Sequence, residues 1–177
     1  IPNETYASAP ELLDGADLTR TAVLLLDVQM PAMNGLELQE ALNRRNIKLP
    51  VVFLSGTAGV PTAVSAMRAG AYDFIEKPFD NADLVARVRC ALAQGIAAQQ
   101  RDAEVKEIME RIETLTPRER EVLDVIVTGK TSKEAARVLG TSHRTVEIHR
   151  AHVVQKMRAD SLADLVRMHM TVSARFA

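Results

Sequence analysis

The sequence predicts an α/β domain followed by an all-helical domain. Up to about residue 95, short apolar runs typical of buried strands alternate with segments whose apolar residues recur at helical spacing. From Leu115 onward, signals that start helices follow one another closely, and no strand-like run separates them. Alternation of the first kind is typical of a parallel sheet with helices on both faces.

Composition and charge agree with two small soluble domains. The 177 residues are 47% hydrophobic and 25% charged, and no apolar run approaches the ~20 residues of a membrane span. The single cysteine, Cys90, excludes an internal disulfide and favours a reducing cytoplasm. Its apolar neighbours predict a buried side chain. Residues 1–95 carry eight basic and eleven acidic side chains, and residues 114–177 eleven and seven, which suggests that the second module tolerates polyanions.

The α/β part is built from three predicted strands and the helices between them. The strands are residues 21–28, 50–54 and 72–76, and the first is expected to be buried on both faces. The helices are residues 35–46, residues 60–69, and one that Asp80 or Asn81 caps and that ends near Gln94. The 26 residues before Asp27 hold one short predicted strand, about residues 3–7, and one short helix, residues 9–15.

A polar helical linker is predicted between the two domains. We place the domains at residues 1–95 and 115–177 and the linker at residues 96–114. Within the linker, Val105, Ile108, Met109 and Ile112 form an apolar seam. The seam either pairs with a second copy of the chain or packs on its own domain, and it spans too few heptads to decide.

Four short helices are predicted after Leu115. Thr116 and Glu119 form one capping box, Thr131 and Glu134 a second, and Ser161 is followed by an aspartate at the third helical position. Gly140 lies in a tight turn that leads to a fourth predicted N-cap, Ser142.

Three reactive side chains are predicted to meet at one edge of the sheet. Asp27, Ser55 and Lys77 each end or follow a predicted strand. Carboxyl ends of parallel strands lie together, and ligand chemistry collects there. A carboxylate can attack phosphorus while a hydroxyl and an ammonium bind phosphoryl oxygens. Each residue is a weak signal alone, but their joint placement predicts a phosphoryl site.

The segments around these residues resemble the receiver domains of two-component response regulators, which have a flavodoxin-like fold. The similar segments are residues 25–35 (LLDVQMPAMNG), Ser55-Gly56, and residues 74–79 (FIEKPF). The resemblance implies that Asp27 is the phosphoacceptor and that a sensor histidine kinase is the donor. Mg²⁺ would be bound by Asp27 and the backbone carbonyl of Gln29. It further implies that Ser55 and Phe74 are switch residues, that Lys77 binds the phosphoryl group, and that Pro78 follows a cis bond.

The sequence departs from the receiver pattern at its front. Receivers open with a strand that ends in an acidic pair, which holds Mg²⁺, and no such pair precedes Asp27 here. Either about 30 residues are absent from this sequence or the protein is a phosphorylation-deficient variant. We expect absence, because loss of a central strand would leave backbone groups unpaired.

Residues 131–139, a turn and residues 142–157 have the spacing of a helix-turn-helix. On the second helix Val146, His149, Val153 and Met157 recur at core spacing, so His149 is expected to be structural and without a metal-site partner. The opposite face and its flanks predict DNA contacts. The candidate residues are Lys130, Lys133, Arg144, Thr145, Glu147, Ile148, Arg150, Ala151 and Lys156.

Residues 115–123 (LTPREREVL) and 145–150 (TVEIHR) resemble the LuxR-type helix-turn-helix. A receiver followed by this domain is the architecture of the NarL/FixJ class. The resemblance implies a DNA-binding transcription regulator that dimerises on double-stranded DNA and works with RNA polymerase. Two alternatives stay open: a regulator that binds DNA without phosphorylation, and an aspartyl-phosphate phosphatase. The second is weak, because such enzymes place an acid where this chain has Gln29. We therefore expect no enzyme activity.

Overall fold

The computed structural model describes residues 2–20, 22–56 and 59–175. Its contacts divide the chain into two compact units, Ile1–Gln100 and Arg101–Ala177. The domain limits predicted from the sequence stay predictions.

A three-stranded parallel sheet forms the centre of the first unit. Its strands are β1 (Leu24–Asp27), β2 (Val51–Ser55) and β3 (Asp73–Glu76), in the order β1-β2-β3. The register pairs Asp27 with Leu54 and Ser55 with Glu76, so all three carboxyl ends lie at one edge. The predicted α/β architecture is confirmed.

Helices cover both faces of this sheet. They are α1 (Ala9–Gly15), α2 (Gly35–Arg44), α3 (Val60–Arg68) and α4 (Asn81–Glu113). On one face Leu38, Leu42 and Phe53 form a core with apolar residues of α1 and α3. On the other face Ala91 of α4 packs with Val52 and Ile75. Asp80 caps α4, because its Oδ1 accepts hydrogen bonds from the amides of residues 82 and 83.

Three expectations for the first unit are wrong. Residues 3–7 form no strand, because they pair with none of the described strands. Leu25 is exposed, although β1 was predicted to be buried on both faces. The core on that face gathers around Val52, Ile75 and Ala91, and Leu25 lies outside it. Cys90 is also exposed, because the neighbouring Ala91 is the residue that α4 turns to the sheet.

The second unit contains the four predicted helices. They are α5 (Pro117–Ile126), α6 (Ser132–Val138), α7 (His143–Met157) and α8 (Leu162–Ser173). All four predicted N-caps are confirmed, since each capping hydroxyl accepts a hydrogen bond from a backbone amide of the first turn; the capping residues are Thr116, Thr131, Ser142 and Ser161. The helices enclose one core that includes Val122, Ile126, Val146, Val153 and Leu165.

The apolar seam of the predicted linker packs against this second unit. Ile108 is 3% exposed and belongs to the core of the helical unit, where Ile112 joins it. Arg111 donates a hydrogen bond to the carbonyl oxygen of Met157 at 3.1 Å. Of the two interpretations of the seam, the structure supports packing on its own domain.

Within the described residues, every helix is too short or too polar to cross a membrane.

Candidate phosphoacceptor site and DNA interface

Asp27 ends β1 and has a partner for each carboxylate oxygen. Its Oδ2 accepts a hydrogen bond from Lys77 Nζ at 2.7 Å, and its Oδ1 accepts one from the Gln29 amide at 3.0 Å. The Lys77 ammonium, followed by the Gln29 amide, lowers the pKa of Asp27 below its ordinary value. Asp27 is therefore a carboxylate at neutral pH. Both side chains of the pair are about 40% exposed, so solvent can reach them.

Ser55 ends β2, the strand between those of Asp27 and Lys77. It is 2% exposed, and its carbonyl oxygen accepts a hydrogen bond from the Lys77 amide at 2.7 Å. The sheet thus brings Asp27, Ser55 and Lys77 to neighbouring strand ends, as the sequence predicted. Their roles in phosphoryl chemistry stay predictions.

Gly35 fixes the backbone behind Asp27, and sequence reasoning did not single it out. A Cβ atom at this position would lie 2.5 Å from the carbonyl oxygen of Asp27 and 2.8 Å from the Phe53 ring. The Gly35 amide donates a hydrogen bond to the carbonyl oxygen of Val28 at 3.1 Å. Helix α2 begins at this point with a capping box between Asn34 and Glu37. Only a residue without a side chain allows the helix to start this close to the site.

Phe74 lies on β3 directly opposite Phe53 of β2. The two rings are tilted, with centroids 6.1 Å apart, and Phe74 is half-buried. The Lys77-Pro78 bond is cis, as the resemblance implied. These positions are compatible with a switch aromatic, a role that stays a prediction.

The described residues provide only part of a Mg²⁺ site. Asp27 supplies one carboxylate, and no group of three or more ligating side chains gathers around it in the described part of the chain. Both of its oxygens already accept hydrogen bonds from this chain. Mg²⁺ is commonly held by one or two carboxylates together with water. A single carboxylate whose two oxygens already accept hydrogen bonds does not complete such a site.

In the second unit, α6 and α7 form a helix-turn-helix around Gly140, whose φ of +61° suits a glycine. On α7, Val146, Val153 and Met157 are buried in the core. The face turned away from the core is exposed, and Ile148 retains 49% of its surface. Its other exposed members are Arg144, Glu147 and Ala151, with Thr145 partly exposed.

The basic residues predicted to flank the DNA face differ in exposure. Lys130 and Lys133 are exposed, while Arg150 is half-buried and donates a hydrogen bond to Ser132 Oγ at 3.3 Å. Lys156 is half-buried, and its predicted role in DNA binding stays a prediction. Its Nζ donates hydrogen bonds to Glu119 Oε2 at 2.6 Å and to the carbonyl oxygen of Thr114 at 3.3 Å. The packing of α5 on α7 brings Glu119 within reach of this lysine, whose side chain stays 35% exposed.

His149 lies on the core side of α7, as predicted, but the expectation that it has no metal-site partner is wrong. One ring nitrogen each of His149 and His152 and a carboxylate oxygen of Glu119 lie within 4.8 Å of one another. His152 stands three residues after His149, a signal available in the sequence. Glu119 is 33 positions from His152, so only the packing of α5 on α7 reveals it.

Family models match both units. Residues 3–89 match the response regulator receiver domain, and residues 113–169 match the bacterial regulatory proteins of the luxR family. Among curated relatives, Nodulation protein W of Bradyrhizobium diazoefficiens is 40% identical over 94% of this chain and 74% of its own length. The chain is a response regulator of the NarL/FixJ class.

Further comparisons agree with this assignment. Transcriptional regulatory protein FixJ of Azorhizobium caulinodans is 42% identical over 92% of the regulator and 77% of its own length. The solved structure of response regulator StyR matches with a TM-score of 0.81 and 33% identity, covering 94% of the regulator and 84% of that chain. The regulator therefore combines a receiver with a LuxR-type DNA-binding domain. DNA and a sensor kinase are the partners that these domains imply.

Proposed function

We propose that phosphorylation of Asp27 by a sensor histidine kinase controls dimerisation of this regulator and DNA binding by α7. The observation that carries the proposal is the 2.7 Å contact between Lys77 Nζ and Asp27 Oδ2 at converging strand ends. The regulator would act in the cytoplasm, without enzyme activity of its own, and would present bound promoters to RNA polymerase.

The chemistry follows from the three strand-end residues. A carboxylate oxygen of Asp27 forms a bond to phosphorus while the bond from phosphorus to the donor breaks, which gives an acyl phosphate. The Lys77 ammonium then balances the added negative charge, and the Ser55 hydroxyl donates a hydrogen bond to a phosphoryl oxygen. Receiver domains generally bind Mg²⁺; an ion here would be held by Asp27 and the backbone carbonyl of Gln29, and it would neutralise phosphoryl charge.

The signal would leave the site through Phe74. Movement of Ser55 towards the phosphoryl group makes space into which the Phe74 ring rotates. This rotation changes the surface formed by α3 and β3, which carries an exposed apolar stripe: Val60 is 77%, Val64 42% and Met67 46% exposed. Apolar residues one helical turn apart on an open face suit a second copy of the receiver. Phosphorylation would shift the population towards the dimer.

For DNA, we propose that α7 lies in the major groove. Arg144, Glu147 and Ile148 would contact base edges, with Thr145 and Ala151 beside them. Lys130, Lys133 and Arg150 would bind phosphates, which fixes the orientation of the helix. Lys156 is left out of this set, because Glu119 holds it.

Phosphorylation is tested by incubating the full chain with acetyl phosphate and Mg²⁺ and following intact mass and DNA affinity. We expect one phosphoryl group on Asp27 and tighter DNA binding, both lost in Asp27→Asn and both retained in the exposed control Asp14→Asn. Equal stimulation of Asp27→Asn overturns the switch. Absence of label favours a regulator independent of phosphorylation, and rapid turnover of small phosphate esters favours the phosphatase.

The DNA face is tested by titrating specific and random duplexes. Arg144→Ala and Ile148→Ala should lower sequence discrimination, with a cost on the order of 1–3 kcal/mol for the specific duplex. Lys133→Ala should weaken binding to all sequences and reduce the salt dependence. A parallel fall for both duplexes in Arg144→Ala would mean that another face reads the bases.

A further inference from the structure

A cluster of metal-ligating side chains joins α5 to α7. It consists of Glu119, His149 and His152, called here the α5–α7 triad. One ligating atom from each lies within 4.8 Å of the other two. His149 and His152 are three residues apart on α7, so they share one face of the helix. Glu119 is in the first turn of α5, where the capping box holds its backbone.

The two oxygens of Glu119 have different surroundings. Oε2 accepts hydrogen bonds from the Thr116 amide at 2.8 Å and from Lys156 Nζ at 2.6 Å. Oε1 faces His152 Nδ1 at 3.5 Å. The carboxylate is therefore fixed by one oxygen and presents the other to His152. Its side chain is only 4% exposed, which keeps this orientation.

His149 carries a buried nitrogen without a partner. Its Nδ1 is shielded from solvent and makes no hydrogen bond within the described residues. Buried polar atoms in folded proteins nearly always have a partner, so an unsatisfied one calls for an explanation. One ring nitrogen of His149 belongs to the triad, so an ion held there would give this otherwise unpaired imidazole a partner.

The types of ligand atom and the distances between them favour Zn²⁺ over Mg²⁺ and Ca²⁺. Tetrahedral Zn²⁺ takes histidine nitrogens and carboxylate oxygens at 2.0–2.1 Å, which places its ligands about 3.3 Å apart. The contact between His152 and Glu119, at 3.5 Å, is already close to that separation. Two nitrogen donors disfavour Mg²⁺ and Ca²⁺, which prefer oxygen. His152 is half-exposed, so solvent can supply a fourth ligand.

We propose that the α5–α7 triad binds one Zn²⁺ ion and so ties the start of α5 to the middle of α7. Lys156 stays on Oε2, and its positive charge limits the affinity without occupying Oε1. Because the triad exists only when α5 packs on α7, the ion binds the folded unit and stabilises it. His149 and His152 belong to the helix proposed to read DNA, so the ion would hold that helix in place.

The test titrates the untagged full chain with Zn²⁺ by calorimetry and with Co²⁺ by visible absorption. We expect one ion per chain and an absorption spectrum of four- or five-coordinate cobalt. Even outer-shell partners of metal ligands are worth roughly 10- to 100-fold in affinity, so loss of a ligand in His152→Asn should weaken binding by roughly 100-fold. His152 is exposed, so this substitution leaves the core intact.

The matched control is His143→Asn. His143 lies on the same helix, is equally exposed, and has a glutamate at 3.6 Å, but no third ligand joins it among the described residues. The His143→Asn variant should bind Zn²⁺ with the same affinity as the unaltered chain. At 100-fold excess over the dissociation constant, Zn²⁺ should raise the Tm of the helical unit by about 10 °C or more in the unaltered chain and in His143→Asn, and by less in His152→Asn. No binding, equal binding by His152→Asn, or equal loss in His143→Asn overturns the proposal.

Discussion

The two units of this regulator each contain a lysine bonded to a carboxylate, and the two pairs differ in burial. In the receiver, Lys77 and Asp27 are 2.7 Å apart and both about 40% exposed. In the helical unit, Lys156 and Glu119 are 2.6 Å apart; Lys156 is 35% exposed, but Glu119 only 4%. Distance alone would make them equivalent. Burial separates a pair that solvent and a phosphoryl donor can reach from one that holds two helices together.

This difference has an energetic reason. An exposed ion pair contributes little to stability, since water screens it and compensates both charges when it breaks. A buried carboxylate that loses its partner keeps a charge that water cannot compensate. The exposed pair can thus be rearranged during chemistry at low cost, whereas the buried pair cannot.

The largest expected effect is on the buried pair. Lys156→Met should lower the free energy of unfolding of the helical unit by about 2–4 kcal/mol, because Glu119 is left buried and charged. Peptide-resolved hydrogen exchange of α5 and α7 measures this unit separately from the receiver. The control is Lys133→Met, which removes an exposed lysine. Equal protection in both variants would show that the buried pair is no more important than a surface charge.

The next effect concerns what holds Asp27 in place. Gly35→Ala should lower the free energy of unfolding of the receiver by about 1–3 kcal/mol, because its Cβ would overlap the carbonyl oxygen of Asp27. Gly56→Ala, where a Cβ meets nothing within 4 Å, is the control. Hydrogen exchange of β1 and β2 is the measurement. If both variants keep full protection, the backbone contact does not fix the site.

The pH dependence of stability also distinguishes the two ion pairs. The Lys156 ammonium, together with the Thr116 amide, lowers the pKa of Glu119 to about 2. A folded-state pKa below the unfolded value means that Glu119 stabilises the fold above its ordinary pKa, and that this contribution is lost as the pH falls towards 2. Protection of α5 and α7 should fall over that range. Glu119→Gln should be less stable at neutral pH and should lack this acid dependence; an unchanged acid profile contradicts the assignment.

The smallest effect on stability is expected at the exposed pair. Lys77→Met should change the free energy of unfolding of the receiver by less than about 1 kcal/mol, because both partners are solvated. Labelling by acetyl phosphate should nevertheless fall strongly, since the charge beside the acyl phosphate is lost. Lys156→Met is the matched comparison. It should lower the stability of the helical unit and leave labelling by acetyl phosphate unchanged. A large loss of receiver stability would contradict the role of burial.

Local signals predicted much of this structure. The N-caps Thr116, Thr131, Ser142 and Ser161 placed four helix starts correctly, because a cap and its amide lie within three or four residues of each other. The strand ends at Asp27 and Ser55 also followed from apolar runs and turns. Helix starts and strand ends depend on neighbouring residues, so they can be predicted from the sequence.

The expectations that failed depended on which element packs on which. Whether Leu25 and Cys90 are buried depends on which residues of α4 and the sheet contact each other. The periodicity of apolar residues does not show those contacts. Lys156 was predicted among the basic residues that flank the DNA face; its bond to Glu119, 37 positions earlier, is a contact that no local pattern shows. The α5–α7 triad was missed for the same reason. Contacts between distant segments require the packed structure.

The contact of Lys156 with Glu119 has a consequence for counterions. Each phosphate that a protein neutralises releases condensed cations, and the logarithm of the binding constant falls with the logarithm of salt by about 0.9 for each such contact on duplex DNA. A lysine already compensated by Glu119 releases none. The salt dependence of DNA binding should therefore correspond to three phosphate contacts on each chain, from Lys130, Lys133 and Arg150. That is one fewer than the four flanking basic residues predicted from the sequence.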